Sequence, residues 1–359
     1  MFMCLILFCF SSCKNGNVVD PEAQYTYQIP EYLDDGWQVS SISEQDMDTE
    51  IITEMTNNIL SGQYRGIHSM LIVKNGVLVH EVYFEEYERK SLQIIYSITK
   101  SITSALIGIA IDQGLISGVE DPILDFFPQY DISDTQKQQI KLKHLLTLTS
   151  GFDWDEKTYP YSDPRNSEYG MVRSNDWMKY VLEEPLADEP GTKYQYNTGS
   201  VHLLSGVIKN VSSLYANEFA EEYLFQPLDI SEYEWNTDPQ GYQCTGGTNG
   251  GLRLKARDVA KFGYLFLNSG RWHGTQVVPE AWIKESTREH VQVSDTKRCG
   301  YLWWLDELIN IDHFYAAGYG GQSIHIVPEL DLMIVLLCWD TEPDADIFGP
   351  ILMTYQAAL

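Results

Sequence analysis

The chain has 359 residues, 44% hydrophobic and 21% charged. These proportions exclude a wholly disordered or collagen-like chain, and the length allows a sizeable core without disulfide staples. Lys and Arg number 24 against 51 Asp and Glu, giving a net charge of -27. That balance argues against nucleic acid as a partner and would slow the approach of anionic substrates.

Met1–Phe10 (MFMCLILFCF) is an apolar run. It falls short of the roughly 20 residues that span a bilayer and has the length of a signal-peptide core. Phe10-Ser11-Ser12-Cys13 resembles a bacterial lipobox. This predicts a signal peptide over 1–13, lipidation of Cys13, export, and membrane contact through that anchor alone. The product would be a periplasmic or cell-surface lipoprotein. A plain signal or a buried strand are the alternatives. Residues 14–43, polar and Pro-containing, read as a tether.

Ile51, Ile52, Met55, Ile59 and Leu60 recur at helical spacing and predict an amphipathic helix over 44–61. Asn75-Gly76 between two apolar stretches predicts a β-hairpin. Residues 98–116 are apolar on nearly every side, as in a buried helix. Residues 118–245 show helical patterns, loops and few strands. An amphipathic helix is predicted over 252–268. Strands are predicted at 301–304, 322–327 and 332–338, with a closing helix at 346–359. The expected fold is α+β. An antiparallel β-sheet flanked by helices comes from 44–117 and 246–359, with a mostly helical subdomain inserted at 118–245.

The chain has 6 Cys. Cys4 and Cys9 would leave with the signal. Cys244, Cys299 and Cys338 remain, an odd number at wide spacing that gives neither a disulfide framework nor a zinc pattern. A Cys244–Cys299 bridge stays open, and Cys338 reads as a core thiol. The 8 His have no ligand spacing, so no metal is expected. His80 and His325 read as structural. Neither GxSxG, HExxH nor a Walker loop is present.

Ser-x-x-Lys occurs at Ser11–Lys14, Ser97–Lys100 and Ser294–Lys297. Only Ser97 opens a long buried helix. Residues three apart share a helical face, so Lys100 can reach the Ser97 hydroxyl. Burial and the positive end of the helix dipole disfavour a charged amine there, which would let a lysine act as base. The competing reading is a Ser helix cap followed by a surface Lys. Two further elements follow: Glu189–Gly199 (EPGTKYQYNTG) before an apolar helix, and Gly318-Tyr319-Gly320-Gly321-Gln322 before a strand. Glycines let backbone approach a ligand closely, and the next N–H can face an oxyanion.

Ser-x-x-Lys, then PGTxxxY, then a Gly-Gly pair before a strand resemble the serine β-lactamase and penicillin-binding-protein superfamily. The chain looks closest to its class C-like esterase and 6-aminohexanoate-dimer-hydrolase branch. The likeness spans about 60–355 and implies a β-lactamase/transpeptidase-like fold and serine-hydrolase chemistry without a cofactor. It implies Ser97 as acylated nucleophile, Lys100 as its base partner and Tyr196 as the catalytic Tyr, with Tyr194 the lesser candidate. It places Thr198 at the last position of the Tyr-x-Asn element, and Tyr319, Gly320 and Gly321 in substrate binding. The N–H groups of Ser97 and Gln322 would form the oxyanion hole. Thr198 for Asn loses an amide donor, and Tyr319 for Lys or His removes a cation that helps hold a substrate carboxylate. The resemblance therefore favours small neutral esters or amides as substrates, with a carboxylesterase or amidase ahead of a β-lactamase or D,D-peptidase. A non-catalytic lipid-anchored binding protein is a third reading. Arg253 or Lys255 could replace the missing charge, and Tyr169 could belong to a lid.

Overall fold

The computed structural model describes residues 24–341 and 348–359. The signal, lipobox and Cys13 expectations lie outside them. The predicted hairpin forms: β1 (Ile67–Lys74) and β2 (Val77–Tyr83) pair antiparallel. Asn75 (φ 51) and Gly76 (φ 77) both take the left-handed backbone that a two-residue type I′ turn requires. Short strands β3 (Gln93–Ile94), β4 (Glu234–Trp235) and β5 (Leu252–Leu254) form a small sheet, and β6 (Arg271–Trp272) and β7 (Thr275–Gln276) form a ribbon. The chain then returns to the first sheet with β8 (Val291–Gln292), β9 (Arg298–Cys299), β10 (Trp304–Leu308), β11 (Ile311–Ala317), β12 (Ser323–Val327) and β13 (Leu332–Cys338). The large sheet has the order β2-β1-β13-β12-β11-β10-β9-β8. Strands from both ends of the chain therefore share one antiparallel sheet, as expected.

Helices cover both faces. On β1 and β13, Leu71, Val73, Val335 and Leu337 enter one core. Their neighbours Met70, Ile72, Ile334 and Leu336 enter another. This is the strand period of two with apolar residues on both sides. The second core is closed by α1 (Thr49–Leu60) and, at the carboxyl end, α10 (Phe348–Ala357). α1 begins five residues later than predicted because Asp48 caps it, accepting from the N–H groups of Glu50 at 2.8 Å and Ile51 at 3.2 Å. The first core holds α2 (Ile98–Asp112), whose residues Ile98–Ala110 are all buried. α2 stops short of the predicted Ile116 because Gly114 (φ 70) turns the chain left-handed just after the last helical turn.

The middle of the chain carries α3 (Leu142–Leu146), α4 (Ser167–Met171), α5 (Trp177–Glu183), α6 (Thr198–Ser212) and α7 (Ala216–Ala220). α8 (Ala256–Leu267) lies against β12 and β13, and α9 (Glu280–Ser286) follows. Residues 252–254, predicted as the start of that helix, are strand β5 instead. Tyr301–Trp303 are likewise not strand. Leu302 (φ 61) bonds the Leu146 carbonyl through its N–H at 2.9 Å and accepts from Ser101 Oγ at 2.7 Å, docking the segment on α2. Strand β11 (IDHFYAA) went unpredicted because it lacks a β-branched run.

One open alternative is closed and one expectation is overturned. Cys244 and Cys299 do not bridge; both are free and buried, as is Cys338. Burial pushes the Cys299 and Cys338 thiols up to about 12. Residues 24–43 are no loose tether, because Tyr25, Trp37 and Ile42 are buried and Val39 bridges Leu78. A buried ionic cluster also fixes this segment. Arg257 donates to Glu81 at 2.9 and 2.6 Å, to Asp35 at 2.8 Å and to the Glu31 carbonyl at 2.8 Å. Arg89 adds a bond to Glu81 at 2.9 Å.

Burial raises the Glu81 carboxyl, but Arg257 and Arg89 outweigh it and hold it below the ordinary range. Its stabilisation is thus present above the ordinary carboxylate range and is lost as pH falls through the depressed value. Arg257→Met should cost about 3–5 kcal/mol in urea unfolding, the usual effect of stranding a buried charge. A loss under about 1 kcal/mol would show that Arg89 alone satisfies Glu81.

Candidate active site

Ser97 stands at the amino end of α2, yet its side chain makes no helix-capping hydrogen bond. Its Oγ instead accepts from Lys100 Nζ at 3.1 Å and from the Tyr196 hydroxyl at 2.8 Å. The bland reading of Ser97 as a helix cap therefore fails. Tyr96, directly before it, has φ 44. A non-glycine residue in that region costs about 1–3 kcal/mol. The sharp turn is backed by a glycine loop. A Cβ on Gly247 (φ +88) would fall 2.8 Å from the Tyr96 carbonyl oxygen and 3.0 Å from Ser97 N.

Lys100 is 4% exposed. Besides Ser97 it donates to Thr198 Oγ1 at 3.0 Å and to the Gly246 carbonyl. Thr198 in turn donates to Glu156, from Oγ1 at 2.7 Å and from its N–H at 2.8 Å, and Trp154 Nε1 donates to the same carboxylate at 2.6 Å. Thr198 thus joins the lysine to a buried carboxylate, using a hydroxyl where the expected Asn would supply an amide. Neither Glu156 nor Gly246 was picked out from sequence. GFDWDE and TGGTNGG stood in the chain, but nothing local marks which residue turns inward.

Tyr196 lies in the loop before α6, with Asn197 as the cap accepting from Ser200 N at 2.7 Å. Lys157 Nζ sits 4.0 Å from the Tyr196 ring centroid and Lys100 Nζ 4.8 Å from it. The two lysines flank the ring on geometry that suits cation–π attraction. Tyr194, the other candidate, is set aside: its hydroxyl is buried without a hydrogen-bond partner.

In the turn between β11 and β12, the Gly318 N–H donates to the Gln322 carbonyl at 2.8 Å, and Gln322 Nε2 donates to the Cys338 carbonyl at 2.6 Å. Among the described residues, neither the Ser97 nor the Gln322 N–H donates to another backbone group. Both residues line one cavity of about 340 Å³ with Lys157, Tyr196, Lys297 and Tyr319. Gly321 lines it too. Gly320 (φ +84) does not; its Cβ position lies 2.7 Å from the Trp339 ring, so it serves the turn rather than a substrate contact. Lys297 comes from the decoy Ser-x-x-Lys loop. Arg253 and Lys255 pair instead with Glu234 and Glu232 and line neither cavity beside Ser97.

A second cavity, about 300 Å³, opens on the other side of Ser97 and includes Tyr161, Glu168, Tyr169 and Tyr319. Tyr169 therefore does reach the site. His325 lies in the first cavity, buried and with its pKa pushed down to about 3 by burial, consistent with a neutral structural ring. His80 is buried elsewhere, 3.4 Å from Thr56 Oγ1. Among the described residues no cluster of His, Cys, Asp or Glu could hold a metal.

Tyr196→Phe should lower turnover about 10²–10⁴-fold and Lys100→Ala by a similar factor, measured by steady-state kinetics. Tyr194→Phe should change it little. Damage confined to Tyr194→Phe would mean that the wrong hydroxyl has been assigned.

The β-lactamase family model matches residues 48–354. The chain is 24% identical over 299 residues to the 6-aminohexanoate-dimer hydrolase of Paenarthrobacter ureafaciens, covering 77% of this chain and 73% of that one. Among solved structures it resembles EstCE1, a hydrolase with promiscuous acyltransferase activity, with a TM-score of 0.71 at 15% identity over 89% of this chain and 100% of that one. It also resembles the penicillin-binding protein of Bacillus halodurans, with a TM-score of 0.64 at 18% identity over 84% and 98%. The chain belongs to the β-lactamase family and is a hydrolase built on the serine β-lactamase fold.

Proposed function

We propose that this protein cleaves small neutral esters or amides through an acyl-enzyme on Ser97. The observation that carries the reading is the Ser97 hydroxyl held between Lys100 and Tyr196, beside two backbone N–H groups that have no backbone acceptor among the described residues. In the forward step Ser97 Oγ attacks the carbonyl carbon, and its proton passes to the Tyr196–Lys100 pair. The N–H groups of Ser97 and Gln322 receive the oxyanion, an effect worth about 2.7–4 kcal/mol per donor in comparable sites. The leaving alkoxide or amine takes the proton back through Tyr196, and water then hydrolyses the acyl-enzyme by the same route.

Tyr319 in place of a cation weakens binding of a substrate carboxylate. A charge-assisted hydrogen bond contributes about 1.5–3 kcal/mol and a neutral one about 0.5–1.5, a deficit of about 5–30-fold in affinity. A β-lactamase or D,D-peptidase reading is favoured by one observation: Lys157 and Lys297 line the cavity and could face a carboxylate. The intact Ser97, Lys100 and Tyr196 set argues against a non-catalytic binding protein.

Intact-mass analysis with a fluorophosphonate should show one label, lost in Ser97→Ala and kept in Ser294→Ala. A label retained by Ser97→Ala would end the acyl-enzyme reading. Short-chain p-nitrophenyl esters should exceed a chromogenic cephalosporin in kcat/KM, and Tyr319→Lys should narrow that gap. A native preference for the cephalosporin at low and high salt would favour the β-lactamase reading instead.

The lipobox-like Phe10–Cys13 further supports the proposal of an exported lipoprotein anchored at Cys13. The protein should then partition into detergent, and Cys13→Ser should release it or stall processing. An unmodified Cys13 in a protein that stays in the aqueous phase would refute the anchor.

A further inference from the structure

Arg253 lines neither cavity beside Ser97, but it does line a third. In the small sheet Arg253 stands opposite Ile94, and directly opposed residues carry their side chains on one face. The two thus share a wall of a cavity of about 300 Å³. Two aromatic pairs close it. The His68 ring stacks on Tyr87 at 3.8 Å, and the Tyr96 ring stacks on Trp339 at 5.4 Å between centroids. A space of this size holds a small organic molecule.

Among the described residues that line this cavity, Arg253 is the one that carries a charge at neutral pH. Burial pushes the His68 imidazole down to about 4 and the Cys338 thiol up to about 12, and it raises the Tyr87 and Tyr96 phenols. All four are therefore neutral. Arg253 meets Glu234 at 3.5 Å through Nε, but that carboxylate is 64% exposed and does not line the cavity. The contact is too long for a good hydrogen bond, and an exposed pair of this kind contributes little. Glu85 and Glu86 act on Tyr87 only through their charge at a distance. A guanidinium between aromatic faces, with no carboxylate in the wall, is the chemistry that recognises an aromatic acid: the fork binds the carboxylate and the rings take the apolar body.

We propose that this cavity binds a small carboxylic acid with an aromatic body, as a second ligand distinct from the substrate at Ser97. Two residues stand between the ligands. Tyr96, directly before Ser97, and Gln322, whose N–H is proposed to receive the oxyanion, each line this cavity and one beside the nucleophile. The acid therefore lies behind the reacting turn, outside the space the substrate takes. The net charge of -27 opposes the approach of an anion at long range, so binding rests on contact with Arg253.

The test measures binding of 3-phenylpropanoate, 3-phenylpropan-1-ol and propanoate by isothermal titration calorimetry. The wild-type protein should bind 3-phenylpropanoate at least about tenfold more tightly than the alcohol, which lacks the charge, and than propanoate, which lacks the ring. Arg253→Gln should remove the advantage over the alcohol, and Glu234→Gln should keep it. The double exchange Lys157→Gln with Lys297→Gln should leave it unchanged, because those lysines line the cavity beside Ser97. Equal binding of acid and alcohol, or no binding of either, would overturn the proposal. So would an advantage that survives Arg253→Gln, or one lost with the two lysines, which would place the acid beside Ser97. If Arg253→Gln does not fold, the wild-type comparison and the lysine variant decide the matter alone. None of these readouts requires turnover, so the result is independent of the acyl-enzyme reading.

Discussion

A lysine amine inside a buried helix sets the terms for this structure. Lys100 is 4% exposed within α2, and a buried amine needs acceptors for its N–H groups. Those acceptors come from three places far apart in the chain: Ser97 one turn away, Thr198 at the start of α6, and Gly246 in the glycine loop. Satisfying Lys100 therefore fixes the helical insertion and the glycine loop against the nucleophile. The group that most needs pairing for stability is the same one that prepares Ser97 for chemistry.

The site lies where two kinds of structure meet. The amino end of α2 and the turn before β12 supply Ser97, Tyr319 and Gln322. The insertion supplies Tyr196, Thr198, Glu156, Tyr161 and Glu168. The reacting groups thus come from both parts, Ser97 and Lys100 from α2 and Tyr196 from the insertion. Here the walls differ in charge, with Lys157 and Lys297 on one side of Ser97 and Glu168 on the other. A bulk charge of -27 says little about such a site, because fields at contact range are set by the nearest groups.

The segment before α1 shows how composition can mislead. Residues 24–43 read as polar and proline-containing, yet Trp37 is 1% exposed. It packs against Trp272 and Tyr264 at 5.1 and 5.5 Å between centroids. A few buried aromatics and the ionic cluster around Arg257 outweigh the polar residues between them, because one large ring buries more apolar area than several small side chains.

Much of the framework was legible in the sequence. Asn75-Gly76 dictated its hairpin because few other dipeptides tolerate two left-handed residues. The apolar stretch after Ser97 dictated a buried helix, and that context separated Ser97 from Ser294, which sits in an identical motif. Tyr196 could be placed ahead of Tyr194 only through resemblance to a family. The tertiary structure decided the rest. Glu156 and Glu168 carry no local mark, since a carboxylate looks the same in sequence whether it faces water or the protein interior. Which lysines reach the cavity was equally hidden: Arg253 and Lys255 lie near the right glycines but pair outward, while Lys157 and Lys297 arrive from remote loops. Periodicity and turn chemistry act over a few neighbouring residues, so the sequence reveals them directly. Side-chain partners separated by a hundred positions are chosen only when the chain closes on itself.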